Sequence, residues 1–185
     1  MFARPLTPDL SLALLEPRHA EELFQLTNGD REHLRAWLPW VDGVRTVDDT
    51  KVFIQTAQKQ FGENGGFQTA ILLRGRVVGV IGFHRIDWTN GSTSIGYWLA
   101  KKYQGQGIMT TSCRACVNHA FAELKLNRVE IRCAVENQKS RAIPERLGFH
   151  LEGTAREAEW LYDHFVDHAI YGMLAREWQN ETVSA

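Results

Sequence analysis

Cysteine, proline and long apolar runs are scarce in this sequence. It has 3 cysteines and 5 prolines among 185 residues, and no apolar run reaches the roughly 18 residues that a membrane-spanning helix needs. Three cysteines suit a reducing compartment better than a disulfide framework. The opening stretch, MFARPLTPDL, also lacks the apolar core of a secretory signal. We therefore expect a cytoplasmic protein.

An excess of either charge is missing as well. Lys and Arg total 21 against 22 Asp and Glu, while hydrophobic residues make up 44% of the chain. The balance of charge argues against a nucleic-acid or membrane surface. The apolar content is enough for a core. Since no repeat, linker or low-complexity tract is visible, we expect a single domain over residues 1–185.

Hydrophobic periodicity predicts an α+β domain around a mixed sheet. Strands are predicted in LSLALLEP, GFQTAILL, VVGVIGFHRI, STSIGYWLA and RVEIRCAV, and in a closing pair, HLEGTAREAEWL and VDHAIYGML. Helices are predicted over residues 19–28 and 30–38, in RTVDDTKVFIQTAQKQF, after KKYQGQG and in SRAIPERLGF. In the third helix, Thr46 and Asp49 have capping-box spacing, and we expect Phe53, Ala57 and Phe61 to face inward.

The segment KKYQGQGIMTTSCRACVNHAF joins a glycine-containing turn to an amphipathic helix. Gly105 and Gly107 carry no Cβ, and the first N–H groups of a helix have no partner within it. The helix dipole favours an anion at that end, so such a turn can hold phosphate. A tight turn that needs glycine for geometry alone is the other interpretation.

Cys113 and Cys116 form a C-x-x-C pair within the same helix. This spacing also occurs in redox and zinc sites. Zinc requires further ligands, and no second Cys/His pair is present. Because both thiols lie on the apolar face, we expect small buried residues and no metal site.

Three segments carry a resemblance that extends over nearly the whole chain. They are IGYWLAKKYQGQGIMT, ENQKSRAIPERLGF and YDHFVDHAIYGMLAREW, in this order. Together they resemble the GNAT-fold N-acetyltransferases, in particular the RimJ/RimL-type ribosomal-protein alanine/serine N-acetyltransferases. Lys102 stands where that family's glycine signature usually begins with Gln or Arg. The resemblance implies the GNAT fold, with a mixed, mostly antiparallel sheet of about seven strands flanked by helices.

The resemblance implies acetyl-coenzyme A as cosubstrate and no metal. Its pyrophosphate would lie on backbone N–H groups of Gln104, Gly105, Gln106, Gly107, Ile108, Met109 and Thr110. Its pantetheine arm would pair with the strand edge at Trp98 and Leu99 and bond Asn137. Lys102 would assist the phosphates. Solvation of Lys102 and loop capping by Asn137 are the structural alternatives.

Catalytic candidates also follow from the resemblance. Many relatives have a tyrosine at the position of Pro144, so Ser140 is the remaining candidate to protonate the leaving thiolate. Its alternative role is the N-cap of the short helix. Pro144 has no N–H to donate to the carbonyl of Ser140, so that carbonyl is expected to be free for a ligand or water. Relatives often carry a glutamate base at the position of Ser94. His84 is a substitute for it, unless it is a structural histidine.

The acceptor side is less defined by sequence. Trp40 falls off a helical stripe and is a candidate for the acceptor cleft, together with Ser94. By resemblance, Tyr162 and Asp163 border the cleft at the tip between the last two strands.

Three functions remain open on sequence alone. The leading hypothesis is direct acetyl transfer to the N-terminal α-amino group of a protein, with ribosomal proteins as candidates. A small amine or drug is the alternative acceptor. A coenzyme A-binding sensor or scaffold without turnover is the alternative of another class. No nucleic-acid or membrane partner is expected, and a homodimer is compatible with the sequence.

Overall fold

The computed structural model describes residues 3–178, in which eight strands form one sheet. The strands are β1 (Ala3–Pro5), β2 (Leu10–Leu14), β3 (Phe67–Leu73), β4 (Arg76–Asp87), β5 (Ser92–Leu99), β6 (Arg128–Ala134), β7 (His150–Leu161) and β8 (His164–Leu174). Their order across the sheet is β1-β2-β3-β4-β5-β6-β8-β7. Neighbouring strands are antiparallel, except for the parallel pair of β5 and β6.

Helices cover both faces of this sheet. They are α1 (Ala20–Gly29), α2 (Arg31–Arg35), α3 (Val47–Gly62), α4 (Ile108–Asn118) and α5 (Gln138–Arg146). Helices α4 and α5 pack with Ile95 and Leu99 of β5 in one core cluster. On the other face, α1 and α3 pack with Val80 and Trp98 in a second cluster. Within residues 3–178, no helix is both long and apolar enough to cross a membrane.

The predicted α+β fold with a mixed, mostly antiparallel sheet is confirmed, with one strand more than expected. The additional strand is β1, which pairs with β2 through only three residues. Its sequence is Ala-Arg-Pro, and its residues are exposed. It therefore shows neither the length nor the alternating pattern by which a strand is recognised.

Helix α3 confirms its predicted start but corrects its predicted inner face. Thr46 and Asp49 form the expected capping box. The buried residues of this helix are Thr50, Ile54 and Ala57. Phe53 and Phe61 are 40% and 51% exposed, so the prediction that they face inward was wrong. The helix turns its 50–54–57 stripe to the sheet, which leaves Phe53 at the margin.

The parallel pair of β5 and β6 is short. It joins Ser92 to Arg128, Thr93 to Val129 and Ser94 to Glu130, and no further pair follows. Beyond this point, β5 stays paired with β4 as far as Leu99, and β6 stays paired with β8 as far as Ala134. Both strands are therefore held on their outer sides while their facing edges separate. This separation leaves unpaired backbone groups on each inner edge.

The C-x-x-C pair lies inside the core, as expected. Cys113 is 0% and Cys116 2% exposed. Burial raises the pKa of Cys116 to about 12, and burial with neighbouring thiols raises that of Cys113 well above its ordinary value. Both groups are therefore neutral thiols at pH 7. A neutral thiol binds metals and undergoes redox exchange much less readily than a thiolate.

We predict that the double variant Cys113→Ala and Cys116→Ala loses about 1 kcal/mol of stability per site through small cavities, yet keeps the turnover of the folded enzyme. Denaturant unfolding and acetyl transfer would be measured on the same preparation. Lost turnover in a folded variant, or stoichiometric zinc in the unmodified protein, would contradict this structural role.

Candidate active site

A cavity of about 620 Å³ opens where β5 and β6 separate. Its apolar lining is formed by Leu23, Trp37, Leu38, Pro39, Trp40, Val44, Phe53, Val80, Ile95 and Trp98. The lining side chains that can titrate or form hydrogen bonds include those of His84, Ser94, Tyr97, Arg132, Cys133, Asn137, Ser140, Glu159 and His168. The cavity thus combines a mostly apolar wall with a few convergent polar groups, as small-molecule and reaction sites do.

Helix α4 begins at one end of the separated strands. Gly107 is its N-cap and has φ 74°, and no side chain caps the helix. Gly105 has φ 76°, and a Cβ on either glycine would meet nothing within 4 Å. Glycine is therefore needed here for positive φ, and the space in front of the turn is open. Uncapped N–H groups in open space are suited to an anion.

Basic side chains from α5 surround this turn. Lys139 Nζ donates to Gln104 Oε1 at 3.3 Å, and an Arg146 guanidinium nitrogen donates to Thr110 Oγ1 at 3.0 Å. Lys102 Nζ lies over the ring of Tyr103, 4.9 Å from its centroid. Lys139 and Arg146 were not predicted from the sequence, because only the packing of α5 beside α4 brings them there.

Ser140 lies in the first turn of α5 and lines the cavity. The N-cap of this helix is Asn137, whose Oδ1 accepts from the Ser140 N–H at 3.1 Å. The alternative of Ser140 as the cap is therefore wrong, and the loop-capping role of Asn137 is present. Ser140 Oγ is left to point elsewhere: it lies 3.2 Å from Cys133 Sγ and 3.3 Å from Tyr97 Oη.

The carbonyl of Ser140 is not free, contrary to the expectation from Pro144. Tyr97 Oη donates to it at 3.0 Å, from the opposite wall of the cleft. Burial, followed by the nearby Cys133 and Cys113, raises the pKa of Tyr97 well above its ordinary value. Its phenol is therefore protonated and able to donate. Sequence reasoning missed Tyr97, since within IGYWL it has the pattern of an ordinary strand residue.

His84 and Ser94 face each other on the side of the sheet that carries Trp98. His84 Nδ1 lies 3.1 Å from Ser94 Oγ, and a Cβ on Gly96 would collide with the imidazole. Burial lowers the pKa of His84, so its ring is neutral at pH 7. Gly96 thus makes the space in which this histidine lies against β5.

Glu159 and His168, on the closing hairpin, were not predicted. His168 Nε2 lies 3.4 Å from Glu159 Oε2, and both residues line the cavity. Among the described lining residues, Glu159 is the one carboxylate. The β7–β8 register shifts between Ala155 and Glu159, just before this carboxylate. No local sequence signal marks such a register shift.

Of the four residues predicted for the acceptor side, two line the cavity and two do not. Trp40 and Ser94 line the cavity, and the ring centroids of Trp40 and Trp98 are 5.9 Å apart. Tyr162 is not part of the lining, but its Oη donates to the carbonyl of the lining residue Leu38 at 2.7 Å. Asp163 is exposed and pairs with His164 at 2.6 Å. Leu99 is 8% exposed and belongs to the core, and its carbonyl accepts from Gln104 Nε2 at 3.4 Å.

A second concavity, of about 530 Å³, adjoins the first. Ser94 lines both. The second concavity is polar, with Arg85, Asp87, Arg128 and Glu130 among its lining residues. At Ser94, the apolar chamber thus lies next to a charged groove.

Known proteins share both this sequence and this fold. The family model described as "Acetyltransferase (GNAT) domain" matches residues 9–150. YdaF of Bacillus subtilis (strain 168) is 37% identical over 182 residues, 98% of this chain and 100% of that protein. The ribosomal-protein-serine acetyltransferase of Escherichia coli (strain K12) is 32% identical over 165 residues, 89% of this chain and 92% of that protein.

A solved structure of RimL agrees with these relatives. It is described as a ribosomal L7/L12 alpha-N-protein acetyltransferase in complex with coenzyme A, which is joined by a disulfide to a cysteine. It superimposes with a TM-score of 0.90 at 29% identity, over 94% of this chain and 98% of that chain.

The turn before α4 leads to a paired test. We predict that Gly107→Ala keeps most of the affinity for acetyl-coenzyme A, while Gly107→Glu binds about tenfold or more weakly than Gly107→Ala. Both variants carry the same strain at positive φ, but only the glutamate carboxylate competes with phosphate for the helix N–H groups. Titration calorimetry at one salt concentration measures the difference. Equal affinities in two folded variants would argue against an anion site here.

Proposed function

The chain belongs to the GNAT acetyltransferase family and is an acetyl-coenzyme A-dependent N-acetyltransferase, and we propose that its acceptor is the N-terminal α-amino group of a protein, with ribosomal proteins as the expected class. The observation that carries this proposal is the cavity at the separated strands, in which Ser140 and Glu159 are both part of the lining. The names of the E. coli relative and of RimL support the class of acceptor. A ribosomal acceptor would place the reaction in the cytoplasm.

We place acetyl-coenzyme A at two sets of backbone groups without a helix or strand partner among the described residues, which are the start of α4 and the inner edge of β5. Its pyrophosphate would lie on the α4 turn from Gln104 to Thr110, with Lys139 and Arg146 supplying positive charge. The amides of the pantetheine arm would bond the inner edge of β5 beside Trp98, as an added strand does. Leu99 would take part through its backbone. The side-chain amide of Gln104 already bonds His33 at 2.8 Å, so the backbone of Gln104 is the part available to phosphate.

The sulfur of the coenzyme would lie beside Ser140. In RimL, coenzyme A is joined to a cysteine of the protein. Here Cys133 lines the cavity with its Sγ 3.2 Å from Ser140 Oγ. A coenzyme thiol that reached Cys133 would therefore also be within reach of the Ser140 hydroxyl. This supports Ser140 as the group that donates a proton to the departing thiolate.

Acetyl transfer then requires a neutral amine. An α-ammonium group has a pKa near 8, so only a modest base is needed at neutral pH. Glu159 is placed to attract the ammonium and to accept its proton, directly or through water. The amine nitrogen attacks the thioester carbonyl as the C–S bond breaks, and the thiolate takes a proton through Ser140. Ser140 is then reprotonated from water, and the proton that Glu159 took from the amine returns to solvent, so that one proton leaves the amine and one reaches the thiolate.

His84 remains the alternative base. It is neutral and lines the cavity, but Ser94 occupies its Nδ1. Glu159 has the advantage of negative charge, which a neutral imidazole lacks when an ammonium group approaches. Trp40 and Ser94 would form the chamber around the acceptor's first residue. Asp163 at the exposed hairpin tip would act only at longer range.

The second concavity favours a polypeptide over a small amine. A small amine needs only the apolar chamber, whereas a polypeptide whose N-terminus reaches Ser140 must continue over the surface. The charged groove beyond Ser94 offers that path. Acetylation of a small amine, and coenzyme A binding without turnover, are the other outcomes that experiment must separate.

The acceptor class is tested with matched peptides. We expect turnover with peptides that carry a free α-amino group, and none with the same peptides blocked at the N-terminus but containing lysine, whose amine has a pKa near 10.4. Thiol release and mass spectrometry measure the rate and the site. Preference for small amines, or thiol release from none of the acceptors, would contradict the proposal.

The base assignment is tested by neutral substitutions. We expect Glu159→Gln to lower kcat/KM by about a hundredfold or more and His84→Gln by only a few-fold, since a positioned base contributes about 10²–10⁴-fold. Glu157→Gln is the matched control, because it removes the same charge from β7 outside the cavity lining. A larger loss in His84→Gln than in Glu159→Gln would transfer the role to His84.

A further inference from the structure

Pro144 creates a defect in α5 at the position of Ser140. The proline lies inside the helix and has no N–H, so it cannot donate to the carbonyl four residues earlier. In an uninterrupted helix that carbonyl would be bonded by the helix itself. Here the hydroxyl of Tyr97 donates to it at 3.0 Å. A side chain of β5 therefore completes the hydrogen bonding of α5 across the open cleft.

The same hydroxyl also meets the side chain of Ser140. Tyr97 has a single proton, and the carbonyl of Ser140 takes it. The phenol oxygen can then only accept from Ser140 Oγ, which lies 3.3 Å away. Both polar groups of Ser140 thus converge on one atom of the opposite strand. This contact restrains the rotation of the Ser140 side chain, whose Oγ also lies 3.2 Å from Cys133 Sγ. The single proton of the hydroxyl can therefore turn from the phenol to a sulfur on that side without movement of the oxygen.

We propose that Tyr97 is a positioning residue for acetyl transfer, which holds the Ser140 hydroxyl at the place where the leaving thiolate forms, and that Pro144 makes this possible by leaving the Ser140 carbonyl to the tyrosine. The inference rests on the proposed role of Ser140. Tyr97 itself transfers no proton to the substrate. It acts by narrowing the orientations of Ser140 before the thioester is cleaved.

Tyr97→Phe removes the hydroxyl and keeps the ring. We expect it to lower kcat by about ten- to a hundredfold, as a misplaced catalytic group does, with little change in KM for acetyl-coenzyme A. The lost bond to the buried carbonyl should also lower Tm by about 2–4 °C. A purely structural role of Tyr97 would explain the lower Tm of the variant, but it would not explain a loss of kcat with an unchanged KM.

Pro144→Ala separates the two effects. The alanine N–H can bond the Ser140 carbonyl, so the double variant Tyr97→Phe/Pro144→Ala should recover Tm while kcat stays low. Recovery of kcat together with Tm would overturn the positioning role. The double variant also serves as the folded background if Tyr97→Phe alone fails to fold.

A mutant cycle with Ser140→Ala tests whether Tyr97 acts through this serine. We expect Tyr97→Phe/Ser140→Ala to be no slower than Ser140→Ala. A further loss in the double variant would show that Tyr97 acts independently of Ser140 and would overturn the inference. Normal turnover in Ser140→Ala would remove the proposed role of Ser140 itself. A slow Ser140→Ala with a normal Tyr97→Phe would remove only the positioning by Tyr97.

Discussion

The end of hydrogen bonding between β5 and β6 after Ser94 and Glu130 is the feature on which the site depends. Two paired strands would leave no space for a ligand and no free backbone groups to bind one. Separation is tolerated because β4 and β8 continue to hold the outer edges of these strands. The Tyr97 side chain of β5 also bonds Ser140 of α5 across the cleft, which links its two walls. The opening is therefore a stable part of the sheet.

The separation also gives the site two sides of different character. On one face, α4 presents an uncapped N-terminus, and α5 brings Lys139 and Arg146 beside it. On the other face, α1 and α3 border a chamber in which the described lining includes the carboxylate of Glu159. In the proposed reaction, an anionic coenzyme approaches from the first side and a cationic amine from the second. The charges of the two substrates then direct them to opposite ends of one cleft, which lowers competition between them.

Local features were readable from the sequence, and contacts between distant segments were not. The glycines before α4 and the capping box of α3 depend on neighbouring residues, and the structure has them as predicted. The resemblance to a family supplied the cleft and its coenzyme. By contrast, Glu159 lies in β7 just after a register shift, and the bond from Tyr97 depends on how helix α5 lies beside β5. Pro144 indicated an unbonded carbonyl, but nothing in its neighbourhood showed which group would bond it.

The central claim, that the inner edge of β5 binds the coenzyme, can be measured directly by hydrogen–deuterium exchange. Amides of residues 95–99 that point away from β4 have no strand partner on β6 and should exchange readily in the free protein. With saturating acetyl-coenzyme A, we expect these amides and those at the start of α4 to become protected together. Protection confined to α4, with unchanged exchange at residues 95–99, would contradict the account, since it would mean that the coenzyme binds through its phosphates without entering the opening between the strands.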